Sequence, residues 1–235
     1  MRSAAGAHRY VLFGRPWRQI TVRGRNTTVE IFRRGLEIRM KHLVGGARLC
    51  TFGALHFCLA ARRLTVIILE TERLQLLPAG PDHVRAMLSG AEVFSERFDM
   101  TLVEGYLAFP EALYPTLEAL ESDPDIAPWW MYMIVHKRDR AVVGTAGYKG
   151  RPRNYQVEIG YSVAPSYQNN GVATETVKAL TFNAKTQKDV DLVIAHTLPE
   201  SSASTRVLTK CNFAHTTDVD DPDDGLVWRW EHRSA

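Results

Sequence analysis

The chain has 235 residues, of which 45% are apolar and 23% charged, a composition typical of a globular protein with room for one large domain or a domain with an extension. Its net charge of +3 combines two unlike parts, because residues 1–65 hold 13 Lys and Arg against 2 Asp and Glu, whereas residues 66–235 hold 16 against 24. The sequence therefore predicts a basic N-terminal extension, 1–65, and a domain, 66–235, whose negative charge argues against nucleic acid and suits a cationic amine.

The cysteines and histidines indicate neither a disulfide framework nor a metal site. Cys50, Cys58 and Cys211 form no CxxC pair, and the eight histidines show no HxxxH or HExxH spacing. A reduced, cytoplasmic protein is the simplest interpretation. The longest apolar run of the basic extension, residues 49–61, is shorter than the ~20 residues that a helix needs to cross a bilayer, so no membrane partner is expected.

Four interpretations of the basic extension stay open. It is a translated upstream region with the natural start near Val66, an organelle-type targeting segment, a basic arm for nucleic acid or anionic lipid, or a helical appendage of the main domain. The first is favoured because a complete domain pattern begins only at Val66.

From residue 66 onward the apolar pattern predicts strands and helices in a regular order. The first strand spans 66–77, and Asp82 caps a short helix over 83–89. Residues 103–120 show helical spacing interrupted by two prolines, which predicts two short helices or a kinked one. The later elements are strands at 129–136, 141–149 and 156–163, a helix at 171–185, a strand at 191–197, a helix at 201–211, and closing strands at 213–217 and 226–231 split by an acidic turn, 218–225. This order predicts an α/β (α+β) domain with a mixed sheet.

The main functional signal lies in residues 157–179, VEIGYSVAPSYQNNGVATETVKA, where a strand ends, a polar turn follows and Gly171 opens a helix. A helix start presents unpaired N–H groups and the positive end of the helix dipole, and small residues at 171 and 173 let an anion approach them. The pattern Gln168-x-x-Gly171-x-Ala173 therefore predicts a binding loop for a pyrophosphate. Taken alone, the same pattern is more often only a turn before a helix.

Two other phosphate-binding motifs are excluded. No Gly-Lys-Ser/Thr follows the loop, so it is not a P-loop. A dinucleotide fingerprint needs three glycines and an acidic residue at the end of the next strand, whereas only Gly171 is present and Asp189 and Asp191 precede that strand.

The order EIGYSVAPSYQNNGVATETVKAL, followed by LPESSASTRVLTKCNF, resembles the GNAT superfamily of N-acetyltransferases, and within it the branch typified by ribosomal-protein N-terminal acetyltransferases. That branch shows a Glu-Ile-Gly-Tyr strand, a Gln/Arg-x-x-Gly-x-Gly/Ala pyrophosphate loop and an Asn-x-x-Ser-x-x-Val-Leu-x-Lys-x-Gly-Phe helix. Segments Thr71–Leu76 and Val143–Lys149 also match, so the resemblance covers about residues 67–229. It implies a mixed, mostly antiparallel central sheet flanked by helices, and an enzyme that moves acetyl from acetyl-CoA to a primary amine.

The resemblance also implies where the co-substrate acetyl-CoA binds. Its pyrophosphate would lie on the amides of the loop, its pantetheine arm along the splayed edge of strand Ile159–Val163, and its thioester between that strand and strand 191–197. The residues so implied are Ile159, Tyr161, Val163, Gln168, Asn169, Asn170, Gly171, Val172, Ala173, Thr174 and Ser201.

Three positions depart from the family pattern. Ser201 stands where members usually carry Asn, which keeps a hydroxyl contact to the cofactor but shortens its reach. Asn212 stands where they carry Gly, a mild change because Asn also adopts a left-handed helix cap. Many members place a tyrosine acid in this helix, and here that position holds Leu208.

An amine attacks a thioester only when it is neutral, and a lysine-type amine with a pKa of about 10.4 is neutral roughly once in 2,500 molecules at pH 7. A base must take the proton directly or through a water. Glu158 is the predicted base, because it lies one strand position before the cofactor edge; the alternative is a solvated or cross-strand charge. Ser204 and Tyr161 are the predicted acids for the departing thiolate, and their alternatives are a surface and a core residue.

Other residues have a structural and a functional interpretation. Cys211 is expected to be structural, because no histidine lies near it in sequence. Trp129, Trp130 and Tyr132 are core residues or the floor of an acceptor pocket. The acidic run 218–224 is a solvated turn or an attractor of a cationic acceptor.

The reaction partner stays open at this stage. The acceptor is a protein N-terminus, a lysine side chain, a polyamine or an aminoglycoside-like amine, and its specificity is expected in residues 89–128, where the pattern is weak. The competing function is a non-catalytic acyl-CoA-binding or sensing module on the same fold. A homodimer is compatible with the sequence.

Overall fold

The computed structural model describes residues 68–222 and 224–233, and the predicted basic extension lies outside them. The strands are β1 (Leu69–Glu70), β2 (Leu74–Pro78), β3 (Thr101–Leu102), β4 (Met131–His136), β5 (Ala141–Tyr148), β6 (Gln156–Val163), β7 (Leu192–Thr197), β8 (Ala214–Asp221) and β9 (Gly225–Arg233). The α-helices are α1 (Pro81–Ser89), α2 (Ala91–Phe98), α3 (Leu113–Ser122), α4 (Val172–Lys185) and α5 (Ala203–Lys210). Short 3-10 turns occupy Pro110–Ala112, Pro124–Trp129 and Pro165–Tyr167.

The strands form one open sheet in the order β1-β2-β4-β5-β6-β7-β9-β8, with the short β3 beside the start of β5. Neighbouring strands are antiparallel, except that β3 pairs with β5 and β6 pairs with β7 in parallel. The predicted mixed, mostly antiparallel sheet flanked by helices is thus confirmed.

Helices cover both faces of this sheet. On one face, α4 and α5 pack through Val177, Leu180 and Leu208 onto a core that includes Leu76, Tyr132 and Val143. On the other face, α1, α2 and α3 cover a second core, which includes Val84, Phe94, Leu120, Met133 and Val142. All eight residues of β5 are buried, because β5 lies in the middle of the sheet between the two layers.

The sheet opens between β6 and β7. Those strands pair only at residues 156–158 of β6 and 192–194 of β7. Beyond Glu158, β6 pairs with β5 alone, and beyond Ile194, β7 pairs with β9 alone. The backbone of Ile159–Val163 therefore presents a strand edge to the gap, and such an edge offers N–H and C=O groups to an extended ligand.

Most predicted elements are confirmed, but three predictions in the chain are wrong. Asp82 does not cap α1, because this helix begins at Pro81 after the N-cap Gly80, and Asp82 lies in its first turn. Residues 103–109 form no helix; the chain there leaves β3 and turns at Gly105, and helix begins only at Pro110. The acidic run is not a turn over 218–225, because residues 218–221 extend β8 along β9 and the strands reverse direction only at residues 222–224. Helix α2 was not predicted; it has only eight residues, and Phe94 is its one fully buried side chain.

Gly144→Ala is expected to destabilise the protein by about 1–3 kcal/mol, which corresponds to a Tm lower by roughly 2–12 °C. A Cβ at Gly144 would lie 2.2 Å from the carbonyl oxygen of Ser162, a backbone atom of β6 that cannot move without shifting the strand. Gly80→Ala is the matched control, because its Cβ meets its nearest neighbour at an ordinary 3.7 Å. Thermal unfolding measures both variants, and an equal Tm for the two would contradict the close approach of β5 and β6.

Candidate active site

The pyrophosphate loop, residues 168–173, joins the open edge of β6 to the start of α4. The Gln168 side chain donates from Nε2 to the carbonyl oxygen of Val163 at 2.8 Å, which ties the loop to the end of the strand. Asn169 and Gly171 have φ values of 61° and 80°, in the left-handed region that Asn and Gly tolerate best. The strand edge and the helix start consequently lie at one end of the gap.

Helix α4 begins without a side-chain cap. Gly171 is its N-cap, and a glycine has no side chain that could accept from the first-turn N–H groups. The N–H groups of Val172, Ala173 and Thr174 find no acceptor in the described part of the chain. Three unpaired donors at the positive end of a helix of 14 residues form an arrangement that binds a phosphate group.

Arg73 and Glu175 fix this helix start to β2. The Glu175 carboxylate accepts from the Thr71 hydroxyl at 2.5 Å, from the Arg73 backbone N–H at 3.0 Å and from Arg73 Nε at 2.8 Å. Arg73 Nη1 also donates to the carbonyl oxygen of Asn170 at 2.9 Å, so one guanidinium holds both the loop and the first turn of α4. Burial raises the pKa of Glu175, but the bonds from Thr71 and Arg73 outweigh it and hold the pKa below its usual value.

A charged trio, Lys149, Glu158 and His196, lies where β6 and β7 separate. Glu158 Oε1 is 2.5 Å from Lys149 Nζ and 3.0 Å from His196 Nδ1. The three side chains are between 19% and 29% exposed, so they are mostly shielded from solvent. Burial raises the pKa of Glu158, yet the hydrogen bond from His196 and the charge of Lys149 more than offset it and lower that pKa.

An apolar cleft lies against the sheet beside this trio, and we call it the acceptor cleft. Its floor comes from β4, β5 and β6, its wall comes from residues 107–116, and Lys149 contributes to its lining. The residues that line it include Leu107, Phe109, Ala112, Trp130, Lys149 and Tyr161. Its wall thus belongs to the region in which acceptor specificity was expected.

The two predicted acids are neighbours in the structure. Tyr161 on β6 donates its hydroxyl to the backbone carbonyl of Ser204, in the first turn of α5, at 3.2 Å. Ser202 caps α5 by accepting from the Thr205 N–H, so the predicted contact residue Ser201 lies in the loop just before the helix. Leu208, at the position where many relatives carry a tyrosine, is fully buried in the core.

The structure brings the other predicted cofactor residues to the loop and the strand edge. Ile159, Val163 and Val172 have buried side chains, so only their backbone atoms can meet a ligand in the gap. Asn169, Asn170 and Gly171 are exposed on the loop, and Ala173 and Thr174 are half-buried in the first turn of α4.

Sequence reasoning did not single out three residues of this region: Arg73, Lys149 and His196. Arg73 bonds residues about 100 positions away in the chain, and His196 meets Glu158 across the parallel strands. Lys149 meets Glu158 from the end of the neighbouring strand β5. The alternation of β7 puts His196 and Ile194 on the same face, but pairing of β7 with β6 is needed to bring that face to Glu158.

Other residues divide between core and surface. Tyr132 is buried in the core, Trp130 lies at the floor of the cleft, and Trp129 packs on Tyr148 with ring centroids 5.2 Å apart. Cys211 is buried, and burial raises the pKa of its thiol, which makes an unreactive structural cysteine. Asp218 bonds His215 on the exposed strand β8 and does not line the acceptor cleft.

Within residues 68–222 and 224–233, no group of three or more His, Cys, Asp or Glu could hold a metal ion. No helix in this same part of the chain is long and apolar enough to cross a membrane.

Comparisons with known proteins identify the family and the fold of the chain. Residues 73–214 match the family model of the acetyltransferase (GNAT) domain. The sequence matches no curated protein. Similar solved structures include RimL, a ribosomal L7/L12 alpha-N-protein acetyltransferase, in complex with coenzyme A. RimL is 17% identical to this chain with a TM-score of 0.53, and the match covers 71% of this chain and 98% of RimL.

Two bacterial enzymes share the fold to a similar degree. The ribosomal-protein-S5-alanine acetyltransferase from Vibrio fischeri is 14% identical with a TM-score of 0.52, and the match covers 71% of this chain and 96% of that one. A GNAT-family acetyltransferase from Bacillus anthracis is 16% identical with a TM-score of 0.50, covering 71% and 98%. At these identities the structures establish a common fold, and the family model carries the assignment.

Proposed function

The chain belongs to the GNAT acetyltransferase family and is an acetyl-CoA-dependent N-acetyltransferase, and from that premise we propose that it acetylates the free N-terminal amine of a peptide or protein. The observation that carries this proposal is the opening between β6 and β7, which has the uncapped start of α4 at one end and the apolar acceptor cleft beside it. An extended carrier and an amine can meet there.

The protein's own groups fit the parts of acetyl-CoA, which supplies the acetyl thioester. The free N–H groups of Val172, Ala173 and Thr174 suit the pyrophosphate, and Arg73 holds the loop in the conformation that presents them. The backbone edge of Ile159–Val163 suits the amide groups of the pantetheine arm. Tyr161 and Ser204 lie together on the two sides of the opening, where a hydroxyl can protonate the departing sulfur.

The acceptor cleft favours a peptide N-terminus over a polycationic amine. Its walls are apolar, and none of the residues that line it is an Asp or Glu that could bind the several ammonium groups of a polyamine or an aminoglycoside. An α-amine has a pKa of about 7.7–8.0, so roughly a tenth of it is already neutral at pH 7, far more than of a lysine side chain. The names of two similar enzymes, which act on ribosomal L7/L12 and S5, support the same class of acceptor.

A competition among amines tests this proposal. The full chain is incubated with acetyl-CoA and an alanine-initiated hexapeptide, the same peptide with a blocked N-terminus and an internal lysine, spermidine, or kanamycin. Thiol release gives the rate, and mass spectrometry locates the acetyl group. We expect acetylation of the free N-terminus only; acetylation of spermidine or kanamycin, or coenzyme A binding without thiol release on any amine, would contradict the proposal.

Asn170→Glu is expected to weaken coenzyme A binding roughly tenfold to thirtyfold, because it puts a negative charge beside the proposed pyrophosphate position. The contact from Arg73 goes to the backbone oxygen of Asn170, so the loop keeps its anchor in this variant. Asn170→Gln is the uncharged control. Calorimetric titration with coenzyme A measures both, and the difference should shrink at high salt. Equal affinities at low salt would place the pyrophosphate elsewhere.

A further inference from the structure

Resting on the proposed acetyl transfer, we infer that His196 takes the proton from the acceptor amine and that Glu158 is the residue that positions it. His196 lies two residues beyond Ile194, the last residue of β7 that pairs with β6. Its side chain therefore lies where the strands have already separated, beside the place proposed for the thioester. Glu158 lies opposite Ile194, at the last paired position of β6, and is therefore two residues farther from the gap than His196.

The surroundings of Glu158 make it a weak base. A single oxygen, Oε1, meets both Lys149 Nζ at 2.5 Å and His196 Nδ1 at 3.0 Å. To take a proton from the amine, this carboxylate would have to give up one of two charge-assisted contacts in a site where they are strong. A carboxylate held in this way is suited to orienting a neighbour.

His196 is arranged in the opposite manner. A carboxylate only accepts hydrogen bonds, so the Nδ1 that meets Glu158 carries the proton, and the lone pair of the neutral ring is on Nε2. That nitrogen meets no hydrogen-bond partner among the described residues, and the side chain is 21% exposed. Histidine is also the side chain whose unperturbed titration lies nearest neutral pH. A carboxylate that fixes the tautomer of a histidine base is a recurrent catalytic arrangement.

Charged groups of the neighbouring strands surround the His196–Glu158 pair. Glu158 attracts the proton, whereas the cation of Lys149 already matches that carboxylate. Arg229 on β9 lies directly opposite His196 in the antiparallel ladder, and it pairs with Glu231 and bonds Gln156. The carboxylates of Glu158 and Glu231 are thus each paired with a cation.

The proposed step moves two protons away from the acceptor nitrogen. The acceptor arrives as an ammonium group and gives one proton to Nε2 of His196. The neutral nitrogen forms a bond to the acetyl carbon, the bond from that carbon to sulfur breaks, and the second nitrogen proton ends on the sulfur with Tyr161 or Ser204 as a relay. The imidazolium then releases its proton to solvent.

The test uses two variants of the full chain with the alanine-initiated hexapeptide as probe. His196→Asn keeps an N–H donor for Glu158 and removes the base, and His196→Ala opens room for free imidazole. We expect kcat to fall about a hundredfold or more in both, with coenzyme A affinity unchanged, and added imidazole to restore activity to His196→Ala. The pH profile of the wild-type rate should also contain a limb that both variants lack. A second limb near pH 8 belongs to the peptide amine, and all three proteins should share it.

Each outcome decides one point. The assignment of His196 would be overturned if both variants kept kcat within threefold of the wild type. It would also be overturned if His196→Ala bound coenzyme A but was not rescued by imidazole. Neither result would affect the proposed function. A wild-type protein that acetylates no amine of the panel would overturn the proposed function and this assignment with it. Coenzyme A binding by each variant shows that it is folded.

Discussion

Glu158→Gln is expected to lower kcat by about tenfold to a hundredfold while leaving coenzyme A affinity unchanged. The amide can still accept the hydrogen bond from His196 Nδ1, but it no longer carries the negative charge that stabilises the imidazolium, and the charge of Lys149 is left unbalanced. The affinity for coenzyme A is unaffected because the pyrophosphate loop is built by other residues, Arg73 and Glu175 among them.

The pH profile of Glu158→Gln distinguishes a positioning role of Glu158 from a role as the base. Removal of an anion beside an imidazolium makes the ring lose its proton more readily, so the limb assigned to His196 should move to lower pH and persist. If Glu158 were itself the base, that limb would be absent from the variant. Steady-state kinetics between pH 5.5 and about 9 measures this, and Glu92→Gln, on the exposed surface of α2, is the matched control that should retain full activity.

Glu175→Gln is expected to lower the free energy of unfolding by about 2–3 kcal/mol, which corresponds to a Tm lower by roughly 5–10 °C. The variant loses the charge that accepts from Thr71 and from three nitrogens of Arg73, two of which belong to a guanidinium that also holds Asn170. Because Arg73 then loses its anchor, the loop before α4 should loosen, and coenzyme A affinity should fall as well.

The dependence on pH follows from the lowered pKa of Glu175. Since this pKa is lower in the folded than in the unfolded protein, the carboxylate stabilises the fold above the unfolded value and loses that effect as the pH falls through the folded value. The gap in stability between wild type and variant should therefore be widest at pH 7 and close in acid. Denaturant titrations at both ends test this, with the exposed Glu118→Gln as control. A constant gap would show that charge at Glu175 is not the cause.

The two predictions separate structure from chemistry in one site. Glu175 is expected to change stability and cofactor affinity, because it supports the loop, and Glu158 is expected to change turnover alone, because it supports His196.

The secondary structure near the site was predictable because local patterns determine it. The alternation in QVEIGYSV predicts β6 over the same residues, 156–163, that the structure shows, and the helix predicted from Gly171 begins at Val172. The pyrophosphate loop follows from the same local order, since a glycine before a helix sets both its backbone conformation and the missing cap.

Predictions failed where local pattern and tertiary contact disagree. Strand β8 runs through an acidic sequence that no propensity favours, because its pairing with β9 supplies the backbone hydrogen bonds while its side chains face solvent. Helix α2 has eight residues against 14 in α4, so its apolar positions cover only about two turns and are easily missed in the sequence.

The sequence by itself determined the family, the order of the strands along the chain and the loop at Gly171, since each depends on residues close together in the chain. Only the tertiary structure decided the charged trio, because Lys149, Glu158 and His196 come from three segments and meet through the register of β5, β6 and β7. Register and the point where two strands separate depend on packing across the whole sheet, and a local pattern does not contain them.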